Sequence, residues 1–569
     1  ECYVVVSEVA KNNGGKKKAL STVFAALVAV GAMMPGQAGA VSFNGGNSGG
    51  HADGDASIAI GSGWADSAYA HTQFSIAIGD HANATGKAAI ALGRQSKTNG
   101  EEASIAIGNE TEAIAKDSTA VGSGSKSSGE YAAALGFQTK ATANYATAIG
   151  SGARGYAEDS QAIGREAETS AGAYRAIAIG TLSKSSGNYA TSLGSSAEAT
   201  AERAIAVGYK SKAEAERAIS VGNLANATKN DSIAVGNNSA ASGLNASAVG
   251  KNSKASGQSA AAFGDTAQAT NTNATAVGNQ ANASNTNTTA IGNQTVASGG
   301  NATAVGHLSQ ATADGATAIG TNNKAGYEGT AVGLSNTVTG RTSAAFGRSN
   351  TVSGKESLAA GVRSTASGEH NVAIGYQAAT DGKATVAIGE GSKADIADGV
   401  ALGSNSATTA AAGIQGFNPA DSRTNTYSGL TGTAQTSTLG AVAVGNGATA
   451  TRQITGLAAG KEDTDAVNVA QLRSVNLKYA ADTGNSDFLL TDGTLTVNGD
   501  GDLISTSVES TGAIKVTAKK GGNITHTDGK AVKPTTNGIA TTNNVVDAIN
   551  DSYWKATAGG NTDGTPSVG

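Results

Sequence analysis

Cysteine is nearly absent. The one residue, Cys2, lies in the N-terminal segment, so no disulfide framework holds the chain. Proline is scarce as well: four residues in 569, at Pro35, Pro419, Pro534 and Pro566, with none from 36 to 418. That excludes collagen, which also needs a Gly-X-Y period, and proline-rich linkers. Aromatic residues make up 4% and charged residues 15%, against a typical ~25% charged. Few large side chains exclude the deep core of an ordinary globular enzyme. Few charges exclude a solvated, disordered chain. The net charge of −5 implies no basic face, so no nucleic-acid partner is expected.

Catalytic signatures are missing too. The six histidines, His51, His71, His81, His307, His370 and His526, lie in no H-E-x-x-H motif or Cys/His cluster. There is no G-x-S-x-G elbow with a plausible triad. The nearest approach to a phosphate loop, Gly382-Lys383, has Gln377 where the first glycine belongs. Glu198, Glu202, Glu214 and Glu216 alternate around lysines and arginines and read as a solvated, charge-mixed face. No catalytic, cofactor-binding or metal-ligating residue is expected, and no enzyme. A polysaccharide lyase on a β-solenoid would need long loops for its acid and base groups, and the regular spacing described next leaves no room for them.

Glycine is what the chain has: 79 residues, about twice the usual ~7%. Much of it belongs to one repeat. The unit Ile58-Ala59-Ile60-Gly61 recurs with its glycine at 25 positions from Gly61 to Gly403, and 20 of the 24 spacings equal that from Gly194 to Gly208. The residue before the glycine is Ile, Val, Leu or Phe in 24 units, with Ala360 the exception; two before it stands Ala in 23 units. Five after it stands Ala or Val in 17 units, as in Ala213, Ala255 and Val352. A 14-residue period therefore predicts two strands of four or five residues and two turns, one coil of a two-faced β-solenoid. The glycine supplies a turn with positive φ. The missing proline follows, because every strand amide must bond to the next coil. At about 4.8 Å per coil the array makes a rod of roughly 115 Å. Alternation puts β-branched bulk on one face of the strand and alanine on the other. The bulky face, with Val235, is taken as the thin core, and the alanine face as the surface for close self-association. Asn-Ala-Thr triplets such as Asn226-Ala227-Thr228 recur with the repeat and read as turn residues rather than glycan acceptors. Thr275, Thr289, Thr303, Thr317 and Thr330 form a partial threonine ladder of the kind an ice-binding or passive surface-layer rod would carry.

The N-terminus reads as a secretory signal over residues 1–40: Lys11 and Lys16-Lys17-Lys18, an apolar Ala19 to Met34, and the cleavage site Ala38-Gly39-Ala40. The apolar run is too short for the ~20 residues of a membrane-spanning helix.

The units such as Ser232-Ile233-Ala234-Val235-Gly236 resemble the head repeats of YadA-like trimeric autotransporter adhesins. Thr451 to Leu472 is similar to that family's neck, and Cys2 to Lys18 to its extended signal region. The resemblance implies an all-β, left-handed parallel β-roll, assembled as a homotrimer. The expected organisation is a signal segment 1–40, a head 41–450 of about 25 coils, a neck and start of coiled coil 451–480, and small α+β stalk modules 481–569. An insertion near 404–444, with Phe417, Pro419 and Tyr427, would project before the last coil, because Gly403 and Gly445 are three periods apart. Asp465 to Tyr479 reads as a helix carrying a seam of Leu472, Val475 and Tyr479, with Glu462, Asp463 and Asp465 before its start. Val469, Leu472 and Val475 are the expected trimer-fastening residues. Strands are expected at 494–497 and 513–516, and 538–554 resembles a Trp-bearing stalk module.

The family also implies the function: an exported adhesin of the bacterial outer surface that binds collagen, fibronectin, laminin or other host matrix and cell-surface molecules, and sister adhesins on neighbouring cells. Its outer-membrane anchor is a C-terminal barrel segment. No alternating ten-residue strands precede Gly569, and the chain starts at Glu1 rather than Met, so a truncated sequence is expected. No residue can be assigned a ligand contact from the repeat alone.

Overall fold

The computed structural model describes residues 41–44, 50–61, 68–100, 102–416, 432–480, 485–489, 495–527 and 530–552. The expected signal segment, the insertion residues Phe417, Pro419 and Tyr427, and Trp554 lie outside them. The chain divides after Arg452 into two units.

The first unit is an all-β parallel solenoid with one coil per glycine unit. Each regular coil contributes a three-residue strand to one sheet and a two-residue strand to the other, as in Ile233–Val235 and Ala240–Ala241. Both sheets are parallel and in register: Ile233, Ala234 and Val235 face Ser247, Ala248 and Val249 of the next coil, and Asn226 and Ala227 face Ala240 and Ala241. The strands are shorter than the period suggested because more of each coil is spent on turning. The repeat glycines sit at positive φ, for example 127° at Gly208 and 131° at Gly250. Two further positions in a regular coil are left-handed, two and nine after that glycine. Lys210 has φ 52° and Arg217 φ 56°. Such conformations cost a non-glycine residue of order 1 kcal/mol or more. Each is held by a bond to the preceding coil, Lys210 N to Ser195 O at 2.9 Å and Arg217 N to Glu202 O at 2.9 Å.

The core reverses the expected faces. Among the described residues, every buried apolar side chain is alanine except Val338 and Val352. Ala234 and Ala241 point inward with Ser232 and Ser239, while Ile233 and Val235 are only half-buried and point out. So short a coil encloses too little space between its sheets for branched side chains, so alanine is what lets its own two sheets close on each other. The buried polar residues are Ser, Thr and Asn, with no charge among them. Many of their hydroxyls donate to turn carbonyls, as Ser253 Oγ does to Gly250 O at 2.9 Å and Thr111 Oγ1 to Gly122 O at 2.7 Å, while those of Ser104, Ser125, Ser183 and Ser220 find no partner among the described residues.

Between residues 317 and 376 the first strand lengthens to five residues, as in Thr317–Thr321 and Thr330–Leu334. Asparagine replaces the usual small residue three after the glycine. Asn323, Asn336 and Asn350 are fully buried and stacked. Asn336 donates Nδ2 to Asn323 Oδ1 at 3.0 Å, to Val332 O at 3.0 Å and to Gly347 O at 2.8 Å. The amides of Asn350 and Ser364 in turn donate to Asn336 Oδ1 and Asn350 Oδ1 at 3.0 and 2.8 Å. Replacing Asn336 by Leu should strand the Asn350 amide and overfill the coil, at a cost of about 2–4 kcal/mol. Denaturant midpoints of the two chains measure it; an unchanged midpoint would remove the ladder's structural role.

Ala407 still bridges in parallel to Lys393; beyond Thr408 the chain leaves the stack and rejoins it at Val442–Ala443, which pairs in parallel with Val400 and Ala401. Arg452 closes this end. Its guanidinium donates to Ser406 Oγ at 3.0 Å, Val444 O at 2.5 Å and Ser404 O at 2.5 Å.

In the second unit the expected long helix is short. It runs Val469–Arg473, with Asn468 as N-cap and Gln471 completing a capping box. Asp465 does not begin it: its carboxylate accepts from the Lys461 and Glu462 amides at 2.9 and 3.1 Å, which hold its carboxyl below the usual range. The seam ends there too, because Ser474 is the C-cap and Asn476–Ala480 is a strand paired antiparallel with Asn485–Leu489. Five residues with no buried side chain cannot sustain a longer helix in a lone chain. Further on, Ile504–Val508 pairs with Ile514–Ala518, Thr525–Thr527 with Lys530–Val532, and a helix spans Thr542–Ser552. Residues 495–497 form no strand, whereas the expected one near 513–516 is present.

Candidate binding surfaces of the solenoid

With the core filled by small residues, the larger side chains of each coil face outward, and the two sheets present different chemistry. On the first sheet, the residues one and three before the glycine form a stripe. It runs from Ile58 and Ile60, through Ile233 and Val235, to Val400 and Leu402. Leu193 is 45% exposed, Phe263 40%, Phe346 43% and Leu402 46%, unusual for side chains of this size. Exposed apolar side chains repeated over so many coils are more than a soluble monomer usually shows, as expected of an interaction surface, although Gln161 and Ser247 interrupt the row three before the glycine. The five threonines from Thr275 to Thr330 lie in this band, beside Val277, Ile291, Val305, Ile319 and Val332.

The second sheet is polar. Its outward position, four after the glycine, carries charges that pair between coils: Lys126 with Glu112 at 2.7 Å, Lys212 with Glu198 at 3.1 Å, and Glu168 with both Arg154 at 3.6 Å and Lys184 at 3.7 Å. The turns carry ladders of their own. Asn273 donates to Asn287 and Asn287 to Asn301, at 3.0 and 3.1 Å. Tyr131 and Tyr145 stack at 5.1 Å. Arg217 grips Asp231 with two bonds of 2.6 and 2.8 Å, which holds the Asp231 carboxyl below its ordinary range. These groups are half-buried to exposed, and ion pairs open to solvent contribute little. Raising the salt to 1 M should therefore move the melting temperature by less than about 3 °C. A larger drop in a thermal scan would mean that the charge ladders carry the fold.

The three residues expected to fasten an assembly stand uncovered: Val469 is 66% exposed, Leu472 57% and Val475 48%. Among the described residues, no three His, Cys, Asp or Glu side chains come together as a metal site would require. Sequence reasoning missed Arg452 and the asparagine ladder. The recurrence of Asn three after Gly320, Gly333 and Gly347 was the available signal.

The family model for the YadA head domain repeat matches fourteen stretches, from 73–96 to 381–406, and the model for the coiled stalk of trimeric autotransporter adhesin matches 453–490. The chain belongs to the trimeric autotransporter adhesins. It is thus a surface adhesin, of a non-enzymatic class, exported to the bacterial cell surface. It is similar to autotransporter adhesin BadA of Bartonella henselae, 39% identical over 108 residues; the match covers 19% of this adhesin and 3% of BadA. A solved structure, the collagen-binding domain of the Yersinia adhesin YadA, is 31% identical over 31% of this chain and 83% of that one, with a TM-score of 0.19.

Proposed function

We propose that this adhesin trimerises by burying the apolar stripe of its first sheet, and that the outward coils then attach the bacterium to host matrix, host cells and sister adhesins. The stripe is the observation that carries the reading. It gives three copies a shared apolar contact along the whole head and leaves the polar sheet and turns free for ligands. One surface repeated about 25 times lets weak contacts add through multivalency. In the neck, Val469, Leu472 and Val475 are the proposed contacts between chains, where exposed apolar residues would find partners and extend the helix.

Light scattering on the native chain and on a Val235→Asp, Val249→Asp chain tests the assembly. The native chain should be a trimer at micromolar concentration. The variant should fall to monomer while its strand signal in circular dichroism persists. A native monomer would refute the reading. Attachment of cells displaying the adhesin to collagen-, fibronectin- or laminin-coated surfaces tests the ligand class.

A further inference from the structure

Charge order on the second sheet breaks a rule at one place. Nine successive coils carry a charged residue at its outward position: Lys97, Glu112, Lys126, Lys140, Arg154, Glu168, Lys184, Glu198 and Lys212. Each sits directly opposite the next in the parallel ladder. Sign alternates between neighbours everywhere except around Lys140, which faces Lys126 on one side and Arg154 on the other. Like charges directly opposite in a sheet are unfavourable. The outer members, Lys126 and Arg154, have carboxylate partners in Glu112 and Glu168. Lys140 is exposed and has no ion pair among the described residues. A glutamate at 140 would complete the alternation, and the chain does not use it.

The two outer members of this run lack a side chain at one neighbouring turn position. The left-handed position two after the repeat glycine holds a side chain in most coils, yet in the coils of Lys126 and Arg154 it is Gly124 and Gly152, at φ 69° and 67°. Small hydroxyl residues, Ser128 and Thr142, flank the first two cations on the other side. A polymer therefore meets no side chain at this position beside Lys126 and Arg154, while Phe137 and Gln138 stand on that side of Lys140.

We infer that Lys126, Lys140 and Arg154 form a binding track for a linear sulfated polysaccharide lying along the solenoid axis. Three cations one coil apart, about 4.8 Å each, match strong anions repeated along one flexible chain. A nucleic acid fits less well: the aromatic side chains Tyr131, Phe137 and Tyr145 of these coils sit in the turns, and Tyr156 alone flanks a cation, so no row of rings lies between the cations to stack bases. The proposal deepens the adhesin reading and rests on it for the setting in which such a glycan is met. Binding itself is a separate measurement.

The test uses the full chain on immobilised heparin, with desulfated heparin and polyphosphate as competitors. Lys140→Glu should lose at least tenfold in affinity while melting at the same or a higher temperature, because it restores the alternation. Lys184→Gln, the loss of one cation elsewhere on the same face, should bind within about twofold of native. The Lys126→Gln, Lys140→Gln, Arg154→Gln chain should lower the slope of log affinity against log salt by about 2, as for three counterions released from a flexible polyanion. Native-like binding by Lys140→Glu, or an equal loss in Lys184→Gln, overturns the track. Competition by desulfated heparin or polyphosphate as strong as by heparin overturns the sulfated glycan. Heparin binding that persists in cells that fail to attach to any coated surface would sink the adhesin reading and leave the track standing.

Discussion

Ala234→Asp should leave the head unable to fold through its central coils, while Val235→Asp, one residue along, should leave them folded. Ala234 has no exposed surface, and its ladder neighbours are Ser220 and Ala248, both fully buried. A carboxylate there meets only methyl groups, small hydroxyls and backbone already engaged in the ladder. It also adds volume to a coil with none to spare. A buried, unpaired charge is among the few changes expected to cost more than about 4–5 kcal/mol. In a solenoid each coil contacts only its neighbours, so the defect cuts the array in two. Calorimetry should show a lost or split transition for Ala234→Asp. Val235 is half-buried and outward, so its aspartate should change assembly and leave the coil. If the two chains melt alike, the inward and outward faces are not as described.

Gly208→Ala should be almost as damaging. The residue has φ 127°, a region that side chains rarely enter. A Cβ added there would lie 2.4 Å from Gly222 O and 2.7 Å from its carbonyl carbon, both backbone atoms of the next coil. Neither can yield without opening the ladder, so strain and clash together should cost about 3 kcal/mol or more. Gly124→Ala is the contrast: φ is 69° and the new Cβ would meet only the flexible Gln138 side chain, at 3.3 Å. That position already accepts Lys210 or Asn238 in other coils. Denaturant melts of the two alanine chains should differ by about 2 kcal/mol, because Gly124→Ala carries only left-handed strain of order 1 kcal/mol and Gly208→Ala adds the backbone clash. Equal midpoints would mean that the coils can separate locally at little cost.

Coil number, the position of both strands and the turning role of the glycine were legible because they recur at a fixed period. Which face is the core was not. Alternation alone is symmetric between Ala234 and Val235, and the usual preference for burying the larger residue points the wrong way when a coil is this short. The left-handed turns at Lys210 and Arg217 were hidden because backbone bonds to the previous coil hold them, so many residue types serve. Arg452 was invisible for a different reason: its partners at 404, 406 and 444 are brought near only when the chain returns to the stack. The helical seam through Leu472 and Val475 was read from spacing that assumes partners, and a lone chain with those side chains exposed ends its helix at Arg473.

The strands lie across the long axis of the head, and the hydrogen bonds between coils lie along it. A pull on the end near Arg452 therefore loads one coil at a time, not the whole array at once. Each coil that peels away exchanges a rise of about 4.8 Å for the contour of one full repeat of extended chain, roughly 45 Å. A single chain of this design is a mechanical fuse with many identical links. It lengthens in equal steps under a steady force and re-forms from its intact end when the load is released.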